Sequence, residues 1–546
     1  MTPKHQVVRT LLILFLLTLG PLAVAQTAGL IGKELSVPQH LQDGQEFLLS
    51  TSELVQFGKT LFQARWTNQE GQGRPLTKGT GNPLSASASP LVFPRNFDRL
   101  SGPDSNSCFG CHNLPFSGGG GDRVSEVFVL AQRFDFLDFN HLVNTPTEGA
   151  ADEIGTFVTM ENASNERKTI GMNGSGFIEM LARQMTAELQ AARNLTSPGT
   201  SVALASKGIS FGTLIRNTDG SWDASQVQGI PTPSLTTANG AAPSLIIRPF
   251  HQAGNIVSVR QFTNNAFNHH HGIQAEERFG LGTDPDGDGF INELTTADVT
   301  ATTIYQISLN VPGQVIPTDP AVQAAIAAGE HLFSQIGCAT CHTPALPLTN
   351  NNNPGNPGQP GWMYAEPSPY NPTTGPNSPN LIPGPANYPL TAPALLVDLT
   401  SNHLPLPRLH AVGGVVMVPA YTDLKLHTMA NGPTDPIAEP LDQNQPAGSQ
   451  GLFAGNLKFI TRKLWGLYNS GPFGHSGKLT TMRDEINLGH NGEATASRLA
   501  FQALSPSQQN NLIEFLKSLQ VLPPGTKCLT VDENFHCLSG NDTPNR

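Results

Sequence analysis

Two pentapeptides limit what this chain can become: Cys108-Phe109-Gly110-Cys111-His112 and Cys338-Ala339-Thr340-Cys341-His342. Both read C-x-x-C-H, the attachment site of a c-type haem. Two thiols three positions apart reach the two vinyl groups of one porphyrin and form thioethers, and the adjacent histidine sits beneath the iron as its proximal ligand. Composition alone would produce such a pentapeptide in about two chains per thousand, so two copies are not coincidence. A zinc site would need further Cys or His ligands at short spacing, and none flank either motif. The sequence therefore predicts two covalent haems, held by Cys108, Cys111 and His112 and by Cys338, Cys341 and His342.

The N-terminus agrees with that chemistry. Lys4 and Arg9 precede an apolar run from Leu11 to Leu17, and Gly20-Pro21 leads to Ala23-Val24-Ala25. This is a basic region, a short apolar region and an A-x-A site, the pattern of a signal peptide spanning 1–25. The run is too short for a membrane-spanning helix and is broken by Pro21. The expected product is exported, periplasmic or otherwise outside the cytoplasm, with no membrane span. A net charge of −11 argues against a nucleic-acid partner, which would want a basic face. Charged residues make up only 13% of the chain, while glycine (54) and proline (45) are abundant, so the expectation is a globular, loop-rich protein.

Around the second motif the signals are those of a class I cytochrome c. Asp319-Pro320 reads as an N-cap followed by an N1 proline; Val322, Ile326, Gly329 and Phe333 follow at helical spacing, and Gly337 ends the helix before Cys338. Ser505-Pro506-Ser507-Gln508 is a capping box opening a helix with Leu512, Phe515, Leu516 and Leu519 on one face. Between them, 344–393 is a Pro/Asn/Gly-rich insertion. The first motif is less compact. A helical pattern at Gly58 to Phe62 lies about 45 residues upstream; Gly118 to Gly121 follow the motif, helical periodicity returns from Phe177 to about Arg193, and 200–250 reads as strands and turns. No internal repeat is visible beyond the motif itself. The predicted fold is mostly α: two class I cytochrome c-like haem domains with long irregular insertions and a few short strands. The expected divisions are 26–316, 317–520 and a tail, 521–546, in which Cys528 and Cys537 would form a disulfide in an oxidising compartment.

Further blocks carry a family resemblance. In order they are Asn106 to His112; Gly174-Ser175-Gly176-Phe177-Ile178-Glu179; Glu276-Glu277-Arg278-Phe279-Gly280 with Asp284-Pro285-Asp286-Gly287-Asp288-Gly289; the second haem motif; Lys463-Leu464-Trp465-Gly466-Leu467; Pro472 to Gly477; and His490 to Ala494. Their order over roughly residues 55 to 520 resembles the bacterial di-haem cytochrome c peroxidase superfamily, in its di-haem oxidoreductase branch.

The resemblance implies that the C-terminal haem is six-coordinate and takes up electrons, while peroxide or another substrate meets iron at the N-terminal haem. It places the sixth ligand of the C-terminal haem shortly after the His-Ser-Gly turn, where His490 falls; Met429, His427 and His475 are its rivals. A His in place of the Met that many peroxidases of this group use would lower that potential. For the N-terminal haem the distal group is open between His141 and the run His269-His270-His271. The resemblance puts the catalytic carboxylate at Glu276 or Glu277, which would move a proton on bound peroxide. Asp284, Asp286 and Asp288 with Gly289 read as the start of a calcium loop, although the twelfth position is Thr295 and Glu293 or Asp298 would have to substitute. The expected function is peroxide reduction at the N-terminal haem, fed by a small cytochrome or cupredoxin-type donor. A non-catalytic electron carrier and a di-haem oxidase of another substrate are the alternatives.

Overall fold

The structure, a computed structural model, describes residues 29–73, 104–126, 139–140, 145–146, 165–237, 240–350, 353–354, 356, 358–366, 395–445, 451 and 454–538. The leader at 1–25, much of the 344–393 insertion and His141 lie outside the described residues.

Six helices position the two motifs. Helix α1 (Thr51–Gln63) opens on a capping box between Ser50 and Glu53. Helix α2 (Ser175–Asn194) runs through the largest apolar core, where Phe177, Met180, Leu181, Met185 and Leu189 are fully buried. Helix α3 (Val259–Ala266) is capped by Ser258 and widens into a π-helical turn at Phe267–His271. Helix α4 (Thr296–Ile307) is capped by Thr295 and Asp298. Helix α5 (Pro320–Gln335) starts on the Asp319 carboxylate, which accepts from the Ala321 and Val322 amides, and stops at Gly337, whose φ of 87° suits only glycine well. Helix α6 (Pro506–Ser518) opens on the Ser505/Gln508 capping box.

These helices form a spatial repeat that the sequence does not display. Helix α1 crosses α4 at Gly58, where a Cβ would meet the Ala301 carbonyl oxygen at 1.9 Å; α5 crosses α6 at Gly329, where a Cβ would meet the Asn511 carbonyl oxygen at 2.0 Å. One turn on, Phe62 packs on Tyr305 with ring centres 5.2 Å apart, and Phe333 packs on Phe515 at 5.4 Å. Phe62 then lies 6.3 Å from the His112 ring at 52°, and Phe333 lies 6.3 Å from the His342 ring at 49°. Each motif is thus held by the same unit: a glycine crossing, an aromatic pair one turn later, and the motif histidine against the first aromatic. Burying each of these phenylalanines contributes about 1.5–3 kcal/mol.

The strands are short. Antiparallel β1 (Arg123–Glu126) and β2 (Asn165–Lys168) pair Arg123 with Lys168. Strand β3 (Gly313–Val315) lies between the two repeats. Antiparallel β4 (Leu426–Thr428) and β5 (Lys458–Ile460) form a ribbon whose second strand leads directly into Thr461 to Trp465. Strand β3 is flanked by antiparallel β6 (Leu519–Gln520) and parallel β7 (Thr530–Val531), and the tail is closed by a Cys528–Cys537 disulfide.

Candidate haem sites

At the C-terminal motif two imidazoles face each other. The ring centres of His342 and His490 are 6.4 Å apart. Two imidazoles sharing one metal through bonds of about 2.0–2.1 Å would have centres about 6 Å apart. Both rings are oriented through their other nitrogen, as ligand histidines are. His342 Nδ1 donates to the carbonyls of Arg462 (3.1 Å) and Tyr421 (3.2 Å), and His490 Nδ1 donates to the Glu485 carbonyl at 3.0 Å. Burial lowers His342 to about 4, so the ring is neutral and able to ligate. A π-helical turn, Glu485–Gly489, presents His490, much as one at Phe267–His271 lies beside the other motif.

The loop carrying His490 is clamped from β4 and its neighbours. His427 Nδ1 bonds Glu493 Oε2 at 2.8 Å and its Nε2 bonds Asp423 Oδ2 at 2.9 Å; Asn491 Nδ2 reaches Asp435, and the Gly492 amide donates to Asn431. Both nitrogens of His427 are thus engaged by carboxylates, which makes it the centre of a charge clamp. Burial opposes its charge, yet hydrogen bonds to Asp423, Cys341 and Glu493 outweigh that and hold it at about 11. A raised folded-state pKa stabilises fully below the unfolded value near 6.5 and loses that contribution as pH rises through about 11. Melting temperature is thus expected to fall between pH 7 and 11 more steeply in the parent protein than in His427→Gln, as thermal melts across that range would show. His475 also lies elsewhere, stacked on Phe459 with ring centres 4.4 Å apart and its carbonyl accepting from the Lys168 amide.

The N-terminal motif is different. His112 Nδ1 donates to the Gly119 carbonyl at 3.3 Å, and burial lowers the ring to about 4. The imidazoles of His251, His270 and His271 share a cleft with His112. That cleft has about 1540 Å³ of empty space, open solvent included. Its apolar lining comes from Phe62, Ile178, Val259, Phe262, Phe267 and Ile460; its polar groups include Gln252, His251, His270 and His271. His271 is fixed by its Nδ1 on the Ser105 carbonyl (2.9 Å), with Nε2 3.3 Å from Cys108 Sγ. His270 Nδ1 bonds Asp104 at 3.0 Å. His251 sits half-buried at φ 65°, a strained conformation for a non-glycine residue of the kind found at functional sites. The four motif cysteines form no disulfide, and burial pushes Cys108 up to about 12 and Cys338 to about 11. Paired cysteines and a neutral histidine stand at both motifs, and at His112 an apolar slot completes what a covalent haem requires.

Glu276 and Glu277 do not line this cleft. Glu277 accepts from Arg260 at 2.5 and 3.1 Å and also from Asn264, while Glu276 accepts from the Thr296 amide at 3.1 Å. Arg260 is buried and draws the Glu277 carboxylate inward to pair with it; the same guanidinium bonds Glu366 at 3.1 Å. The acidic loop is compact: Asp284 accepts from the amides of Gly287, Asp288 and Gly289, and oxygens of Asp284, Asp286 and Asp288 all lie within 4.8 Å of one another. Glu293 is the carboxylate beside them, pushed up by burial and by Asp286 and Asp288, whereas Asp298 is used in capping α4 and in bonding His40. Sequence reading missed Arg462 and Lys463, which face the cleft next to the segment that carries the His342 acceptor.

No family model matches the sequence, and no curated protein matches it. Among solved structures, hydrazine synthase from Kuenenia stuttgartiensis is similar at a TM-score of 0.32 and 13% identity, over 88% of this chain and 93% of that one. A MauG-like protein associated with microbial copper homeostasis is similar at a TM-score of 0.23 and 16% identity, over 67% of this chain and 92% of that one. TM-scores this low do not establish a shared fold. No helix among the described residues is long and apolar enough to cross a membrane.

Proposed function

We propose that this chain is an exported di-haem c-type cytochrome oxidoreductase, built on two cytochrome c-like units, that reduces peroxide at the N-terminal haem with electrons received through the C-terminal haem. The observation that carries the reading is the asymmetry between the sites. His342 is faced by an anchored imidazole, and two fixed ligands suit electron transfer; of the imidazoles lining the cleft at His112, His270 and His271 are held through Nδ1 by Asp104 and Ser105, and a labile sixth position there would suit chemistry at iron. Bound haem would supply the iron that exchanges electrons with substrate. Hydrogen peroxide takes up two electrons and two protons and leaves as two waters. With Glu277 held by Arg260 and Glu276 by α4, proton transfer falls to the cleft imidazoles His251, His270 and His271. A small cytochrome or cupredoxin would deliver electrons at the His342 side.

EPR and optical titration of the purified holoprotein tests this. The expected result is one low-spin iron and one high-spin iron, present at rest or on half-reduction, with only the high-spin species consumed by peroxide. Two low-spin irons in every redox state, indifferent to peroxide, would leave a non-catalytic electron carrier.

The Asp284-Asp286-Asp288 loop, with Glu293 alongside, is proposed to bind Ca²⁺. Burial raises Asp288 to about 6, with Asp284 adding to it, so the carboxylates crowd each other without a cation. Calcium at a hundred times its Kd would stabilise the protein by about 2.7 kcal/mol. The melting temperature is expected to rise when Ca²⁺ is returned to chelator-treated protein and to stay flat in Asp286→Asn; a parent protein that ignores Ca²⁺ would remove the proposal.

A further inference from the structure

Lys168 at the end of β2, and Arg462 and Lys463 just beyond β5, line the cleft beside His112, and Arg462 and Lys463 also line a smaller one with Asn173 and Trp465. Lys168 is 5% exposed and its Nζ has no hydrogen-bond partner. Lys463 Nζ donates to the Asn173 carbonyl at 2.8 Å and lies 5.8 Å from the Trp465 ring centre. Among the described residues, none of the three has a carboxylate within ion-pair distance, whereas neighbouring Arg167 is paired with Glu439 at 3.2 Å. Burial lowers Lys168 and Lys463 to about 7 and Arg462 to about 10, with Arg462 itself depressing both lysines. Withdrawing Lys168 from water without an anion costs several kcal/mol, and two more cations stand half-buried beside it, so this arrangement calls for negative charge in the cleft.

We propose that Lys168, Arg462 and Lys463 form one carboxylate-binding seat for the propionates of the haem held at His112, and that Arg462 links this haem to the other one. This rests on the di-haem reading above. The link is geometric: the Arg462 carbonyl accepts the Nδ1 proton of His342 at 3.1 Å, while the same residue lines the His112 cleft. Charge-assisted bonds from three cations to two carboxylates offset the desolvation. The seat retains positive charge beside the porphyrin, which favours the ferrous state. A change at Arg462 therefore reaches both irons, one through its charge and one through its backbone.

The test is a potentiometric titration, followed optically, of holoprotein carrying Lys168→Met, Lys463→Met or Arg462→Gln, after haem content is fixed by intact mass and pyridine haemochrome assay. Each variant is expected to keep two haems and to shift the reduction equilibrium of the His112 haem at least tenfold toward ferric, about 59 mV for one electron. Arg462→Gln should also move the His342 haem, and neither lysine variant should. Unchanged potentials in fully loaded lysine variants would overturn the seat, even where Arg462→Gln fails to mature. A parent potential that moves on adding sulfate, while the haem spectra stay unchanged and so exclude ligation at iron, would show the seat open to a free anion and overturn the propionate assignment. Fewer than two haems in the parent protein would overturn the di-haem reading instead.

Discussion

His490→Ala is expected to keep both covalent haems and to abolish the low-spin EPR signal, leaving two high-spin irons. The reasoning starts from the facing rings: His490 presents its free nitrogen toward His342 across 6.4 Å while its Nδ1 is held by the Glu485 carbonyl. The loop is pinned at three further points, through Asn491, Gly492 and Glu493, and the rival Met429 lies beside it, its carbonyl carbon 3.3 Å from where a Cβ on Gly492 would stand. His427 is committed to Asp423 and Glu493, and His475 is stacked on Phe459. Added imidazole should restore the low-spin signal, because the vacated space is that of an imidazole. Electron delivery to the other site should fall at least tenfold, read as the rate of donor oxidation by peroxide. His490→Met should instead stay low-spin and raise the potential of that haem, since thioether ligation does so. A low-spin signal that survives in His490→Ala would reassign the ligand and remove the argument for a fixed electron-transfer site.

What could be read from the chain beforehand follows from how locally each feature is encoded. The haem motifs and the caps at Asp319 and Ser505 are contained within a few residues, and α5 and α6 appear where their caps and apolar spacing put them. The helix that closes the first unit, α4, was not legible because all twelve of its residues are buried. Such a helix has no polar stripe to mark its period, and its run of threonines imitates strand. Without α4 the pairing of Phe62 with Tyr305 is invisible, and so is the spatial repeat. The resemblance puts the catalytic carboxylate at Glu276 or Glu277, beside three histidines, but Arg260, sixteen and seventeen residues upstream, claims Glu277 only after folding. The grouping of the cleft cations has no local signature: Lys463 opens one of the blocks that carry the resemblance, but Lys168 is 295 positions away and joins it only where β2 and the end of β5 come together.

The crossings themselves yield the second large effect. Gly329→Ala and Gly58→Ala are each expected to lower the melting temperature by several degrees, with the loss confined to the haem unit concerned. Helix propensity alone predicts the opposite sign, because alanine is favoured over glycine inside a helix by about 0.5–1 kcal/mol. The added Cβ, however, would sit 2.0 Å from the Asn511 carbonyl oxygen in one unit and 1.9 Å from the Ala301 carbonyl oxygen in the other. Both obstacles are backbone, so the helices must separate rather than a side chain rotate. Overpacking of this kind typically costs about 1–3 kcal/mol, which outweighs the propensity gain. Separation also draws Phe333 away from His342, or Phe62 away from His112, each now 6.3 Å distant. Gly329→Ala should therefore broaden the low-spin EPR signal, and Gly58→Ala should alter the high-spin one. Gly432, where a Cβ meets nothing within 4 Å, provides the neutral control as Gly432→Ala. Melts followed in the Soret band would decide the matter: a variant at either crossing as stable as the parent would mean that the helices can part freely, and that the close crossing is not what fixes the aromatic against the haem ligand.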